Sequence, residues 1–167
     1  LNDLEGAIDR AERGTELTER SGDVAMTGWS YVCLVRALFS RGDMAGAEEI
    51  IQRMENIARE THVPPWITSL TEARQAQIWL AQGKLDEASK LLTSLVEVAE
   101  AVGAVGYGIE SWVLRAVALQ AQGNEEQAMA ALERALALGE PEGYVRTFVD
   151  EGPQMGQLLR RAVVQGI

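Results

Sequence analysis

One cysteine and one histidine stand in 167 residues, and that scarcity excludes a good deal of chemistry. Cys33 alone can form no intrachain disulfide, which fits a reducing compartment and hence the cytoplasm. At helical spacing among apolar neighbours it reads as a small buried hydrophobe. With His62 the only histidine, placed at a helix end where it can serve terminal carbonyls, neither a zinc cluster nor a Cys–His catalytic pair is expected. No metal and no other cofactor is implied. No apolar run reaches the roughly 18 residues that a membrane span needs, so no membrane role is expected.

Basic charge is short as well. Fifteen Lys and Arg against 25 Asp and Glu leave a net charge of −10. That field repels phosphate backbones and argues against direct nucleic acid contact by this chain. A Gly-x-x-x-x-Gly-Lys-Ser/Thr phosphate loop is missing, as are strand-like alternation and the basic-then-apolar start of a secretory signal. Carboxylates are plentiful, but neighbours such as Glu48-Glu49 and Glu125-Glu126 point apart on a helix, so no acid–base pair forms and no enzyme is expected. The chain starts at Leu1 without the leading helix of its first repeat, and reads as a piece of a longer protein.

What is present is a period. Leu1-Asn2-Asp3-Leu4-Glu5-Gly6-Ala7, Gly42-Asp43-Met44-Ala45-Gly46-Ala47, Gly83-Lys84-Leu85-Asp86-Glu87-Ala88 and Gly123-Asn124-Glu125-Glu126-Gln127-Ala128 align on their closing alanines, 40, 41 and 40 residues apart. A fixed period of this length implies stacked helical hairpins, each burying its apolar face against the next. Around Gly42 the apolar residues fall at 31, 34, 35, 38 and 39 and then at 47, 50, 51, 54, 57 and 58, the spacing of amphipathic helices. Asp43 and Asn124 are placed to cap following helices, and Pro64-Pro65 suit a first helical turn. Glycines 22, 42, 83, 103, 123 and 139 mark helix ends. The spacing predicts helices near 3–21, 24–41, 44–62, 65–82, 85–102, 107–122 and 125–139. The repeats are 1–23, 24–63, 64–104 and 105–140, closed over 141–167 by shorter helices at 142–150 and 153–164. The expected fold is one all-α domain, a right-handed solenoid of antiparallel helix pairs.

The glycine followed five residues later by alanine, then by Leu92 or Leu132, resembles the tetratricopeptide pattern, and Ala76 and Ala116 suit its close helix contact. The period of about forty departs from the usual 34 or so. Such longer helices are similar to the sensor region of MalT-type regulators, ATP-dependent transcription activators of the LuxR group. The segment Ala135 to Gly152, with Leu138-Gly139-Glu140-Pro141-Glu142-Gly143-Tyr144-Val145-Arg146 at its centre, resembles the stretch that closes that sensor array. The resemblance implies an effector- or protein-binding sensor module, detached from its ATPase and DNA-binding domains.

In paired-helix solenoids the first helix of each unit lines the concave face. Counting back from the loop glycines puts Trp29, Cys33 and Arg36, then Arg74 and Gln77, then Glu110 on that face. Trp29 with Arg36, Arg74 and Gln77 would suit a sugar or an acidic small molecule, since aromatic and arginine side chains are favoured anchors. Tyr31 and Trp112 share one repeat position and read as packing residues; Trp66 reads as packing at a helix start. The expected partners are a small-molecule effector or a protein, with self-association possible through the cut first repeat. The alternative is a scaffold holding a peptide or helix in the groove.

Overall fold

A computed structural model of the chain describes residues 3–141, 143–149 and 151–167. Among these the order is α1 (Leu4–Ser21), α2 (Val24–Arg41), α3 (Met44–Glu60), α4 (Pro65–Ala81), α5 (Leu85–Val102), α6 (Val105–Ala121), α7 (Glu125–Gly139), α8 (Val145–Val149) and α9 (Gly152–Gln165), with no strand. Leu1, Asn2, Glu142 and Asp150, which belong to the expected first repeat and closing segment, lie outside the described residues. The helices form two compact units, Leu1–Ile78 and Trp79–Ile167.

The loop glycines act as the sequence demands. Gly42, at φ 85°, ends α2 in the left-handed conformation, and its amide reaches back to the carbonyls of Leu38 and Phe39. Gly139 does something else. It is the buried last residue of α7, and a Cβ on it would lie 3.1 Å from Cε2 of Phe148. The left-handed turn expected there falls at Gly143 instead. Gly139 is a packing residue that lets Phe148 of α8 lie against the α7 backbone.

Helix starts differ between the units. In the first, Asp3, Asp23 and Asp43 each accept an amide three residues on, from Gly6, Met26 and Gly46. The Gly46 amide, with Arg41 at 2.7 Å, holds the Asp43 carboxyl below the usual carboxylate range. In the second unit Lys84, Ala104 and Asn124 precede α5, α6 and α7, and none makes a side-chain cap. The cap expected from Asn124 is therefore absent. Acidic first-turn residues, Asp86 and Glu87 in α5 and Glu125 and Glu126 in α7, offset those helix dipoles instead.

Each unit has its own core. Ile8, Tyr31, Leu34, Val35, Ile51 and Ile67 belong to the first, and Ile109, Val113, Leu132, Met155 and Leu158 to the second. The repeat-matched alanines Ala47, Ala88 and Ala128 are completely buried, as are Ala76 and Ala116. Full burial of each large aliphatic side chain contributes about 1.5–3 kcal/mol of transfer free energy.

Candidate functional site

The most exposed aromatic surface lies on the first unit. Trp29 of α2 and Trp66 of α4 are 45% and 40% exposed, with ring centroids 6.1 Å apart and planes inclined by 52°. Met26, one turn before Trp29, is exposed too. The cause is one residue away. Gly28 is buried in α2, and a Cβ there would lie 2.5 Å from Cγ2 of Ile67 and 2.9 Å from Cε of Met54. Its missing side chain lets the start of α4 settle directly on α2. Ile67 goes inward, and its neighbour Trp66 comes to rest beside Trp29 at the surface. Trp66, read above as a packing residue, is thus half of an open aromatic pair.

Trp29, Cys33 and Arg36 follow at i, i+4 and i+7 and share one face of α2. Arg36 is exposed and Cys33 half-buried. Burial pushes the Cys33 thiol up from its ordinary pKa, and the Arg36 charge only partly offsets this. That disfavours the reactive thiolate. Arg74 and Gln77, expected on an open face, are instead 2% and 9% exposed. Nη1 of Arg74 donates to Oε1 of Gln77 at 2.7 Å along α4. That bond meets only part of what a buried guanidinium requires. Glu110, half-buried on α6, belongs to the second unit.

A second arrangement occurs twice. In the first unit Tyr31 of α2 is 3% exposed and donates its hydroxyl to Oε1 of Glu19 on α1 at 2.5 Å. Arg53 of α3 bonds the same Glu19 oxygen and lies over the Tyr31 ring, 5.3 Å from its centroid. In the second unit, 81 positions on in each case, stand Glu100 on α5, Trp112 on α6 and Arg134 on α7. Arg134 donates Nε and Nη2 to Glu100 at 3.2 and 3.1 Å. An acid and an arginine thus bridge the two helices flanking an aromatic in both units. The second copy differs in detail, because Arg115 covers the Trp112 ring at 5.0 Å and the indole N–H is buried with no acceptor.

The repeat between them has lost the arrangement. Forty-one positions after Glu19, Tyr31 and Arg53 stand Glu60, Glu72 and Ser94. Glu72 takes the aromatic's place half-buried, and burial pushes its carboxyl above the ordinary range. A raised acid holds its proton more tightly in the folded chain. Its contribution is therefore favourable at low pH and is lost as pH rises from the unfolded range, about 4.3, through the folded pKa. Glu72→Gln is expected to raise Tm at pH 7 and to lose that advantage near pH 4, which thermal melts at the two pH values check.

Among the described residues no group of three or more His, Cys, Asp or Glu could hold a metal ion, and no helix is long and apolar enough to cross a membrane. The helices define an all-α tetratricopeptide-like repeat protein. Its sequence matches the MalT-like TPR region over residues 67–165, more than half of the chain, and the chain belongs to that family. No curated protein and no solved structure matches it. The match takes in most of α4, the Glu100–Trp112–Arg134 arrangement and α9, while Trp29 and Trp66 precede it. Helical repeats of this type often mediate protein or ligand interactions and are generally non-catalytic.

Proposed function

We propose that this chain is the cytoplasmic, non-catalytic sensor module of a LuxR/MalT-type transcription regulator, and that it binds a small-molecule effector at Trp29 and Trp66. The observation that carries this reading is two indoles in contact, each more than a third exposed, on a unit whose other large side chains are mostly inside. Leaving that much apolar surface in water is unfavourable, and covering it is worth several kcal/mol to a ligand. Arg36 on the same face adds a positive charge suited to an acidic group. The effector acts by population shift: it binds one arrangement of the repeats more tightly and so releases assembly of the full-length regulator.

A second reading is favoured by the openness of the pair, since half-exposed indoles also suit a flat protein partner. A thermal-shift screen of sugars and small acids separates the two. A hit from that screen is expected to bind Trp29→Ala at least tenfold more weakly, with the helical circular dichroism unchanged. Equal affinity for the two proteins removes the tryptophan pair from the site. A protein captured by the chain, with no hit from the screen, favours the partner reading.

A further inference from the structure

The second unit leaves two apolar patches in water, and they differ in the sign of their charge. The first lies on α5 and the turn after it. Leu92, Leu95, Val96 and Ala99 bury the inner side of α5. The outer side carries Val98 and Val102, both exposed, and Val105 continues them beyond the Gly103 turn. The Tyr144 hydroxyl stands 3.6 Å from where a Gly106 Cβ would be, which brings this half-exposed ring to the same place. Between Lys90 and Arg115 the chain has three acids, Glu97, Glu100 and Glu110, and no base. Arg134 neutralises Glu100, whereas exposed Glu97 forms no ion pair among the described residues.

The second patch lies on α9. Met155, Leu158 and Ala162 are buried, and Arg160, Val164 and Ile167 form the opposite stripe with Val163 beside it. Val163 and Val164 are 76% and 86% exposed. Residues 152–167 include two arginines and no acid. Arg161 is held by Glu125 at 3.1 Å, whereas exposed Arg160 forms no ion pair among the described residues. Valine is a poor helix former, so neither helix propensity nor the core accounts for valines on the open side of α5 and α9. Adjacent apolar side chains with a charged rim are the mark of an interaction surface.

We infer that α9 of one molecule docks on the α5 patch of a second molecule of this chain. Packed parallel, α9 brings Arg160 to Glu97 and lays Val163, Val164 and Ile167 over Val98, Val102 and Val105. The charges decide which patch meets which. Pairing α9 with α9 would oppose two Arg160 side chains, and pairing the α5 patch with itself would oppose two Glu97 carboxylates, both unfavourable. Within one unit both patches are exposed, so they do not cover each other in a single molecule. The contact is therefore head-to-tail, and each pairing leaves a free patch at either end for the next molecule. It belongs to the second unit and does not depend on what the tryptophan pair binds.

Sedimentation equilibrium of the whole chain, from micromolar to millimolar concentration, is expected to give a mass that rises past the dimer. Val102→Asp spoils the α5 patch and Val164→Asp spoils α9, so each variant should stay monomeric. Both positions are on the surface, and unchanged helical circular dichroism checks that the fold is kept. Mixed in equal amounts, the two variants retain one sound patch each and should form a dimer and nothing larger. Arg160→Glu should weaken assembly tenfold or more, and adding Glu97→Arg to the same chain should restore it. A parent chain that stays monomeric throughout overturns the proposal. So does assembly that survives either aspartate, a mixture that stays monomeric or grows past the dimer, or a charge reversal without rescue.

Discussion

Replacing Gly28 by alanine is expected to destabilise the first unit and to separate the two exposed tryptophans. In most helix interiors this change would be favourable by about 0.5–1 kcal/mol, because glycine has more backbone freedom to lose. Here the new Cβ would stand 2.5 Å from the Ile67 methyl and 2.9 Å from the end of Met54. Met54 has a flexible side chain and can move. Ile67 is β-branched and completely buried, so it cannot rotate away, and α4 must shift as a whole. Overpacking of this kind costs about 1–3 kcal/mol, and valine at the same site should exceed that. Denaturant unfolding gives the energy, and the near-ultraviolet circular dichroism of the Trp29–Trp66 contact gives the displacement. A double-mutant cycle with Ile67→Ala isolates the cause. If the clash with Ile67 is responsible, the double variant is more stable than the sum of the single effects, since the added methyl fills part of the cavity. Strict additivity, or a Gly28→Ala protein as stable as the parent, removes the close approach as the device that pairs the tryptophans.

Gly28 also shows where the sequence stops being legible. The helices could be placed because their signals are local: the period of apolar residues, the capping aspartates and the loop glycines each act within one turn. Expected and observed ends agree to within two residues for α1 to α7, because caps and turns are short-range. Trp29 could be singled out because its repeat counterparts, Leu70 and Glu110, are not aromatic. Trp66 could not, since its exposure is decided by Gly28, 38 positions earlier, and a glycine inside a helix carries no mark of the neighbour it admits. Arg74 and Gln77 were misplaced for a related reason. Helical phase puts them on the face that carries Trp29, but α4 is enclosed on more sides than one amphipathic stripe predicts, and both residues go inside with a bond between them. Asn124 has the chemistry of a cap and a backbone close to that of Asp43, φ −85° and ψ 66° against −84° and 76°, but its side chain makes no cap bond. The Glu–aromatic–Arg arrangement was half visible, as Tyr31 and Trp112 at one repeat position. Its acid and arginine come from the two flanking helices, and only the fold shows that residues 34 apart meet across the aromatic.

Tyr31 supplies the other large expected effect, and its sign follows from its surroundings. Burial is the main reason that its pKa is pushed up to about 12, and the bond to Glu19 adds to it, while the Arg53 charge only partly opposes them. In the unfolded chain the phenol titrates near 10. Between those values the folded state holds a proton that the unfolded state has lost, so stability must fall as pH rises from about 10 to about 12 and is whole below that range. Two pKa units correspond to on the order of 2–3 kcal/mol at about 1.36 kcal/mol per unit. At neutral pH, Tyr31→Phe removes only the hydroxyl bond to a charged acceptor and should cost about 1.5–3 kcal/mol, toward the lower end because Glu19 is partly exposed. That variant should also lose the alkaline dependence that Tyr31 contributes, so the stability difference between parent and variant should shrink as pH rises through this window. Urea unfolding of both proteins from pH 8 to about 12 tests this directly, and a difference that stays constant with pH would show that folding does not raise the pKa of the phenol. The second copy cannot behave alike, because the indole of Trp112 has no proton to lose in this range. Alkaline weakening from this source therefore belongs to α1, α2 and α3, where Glu19, Tyr31 and Arg53 meet.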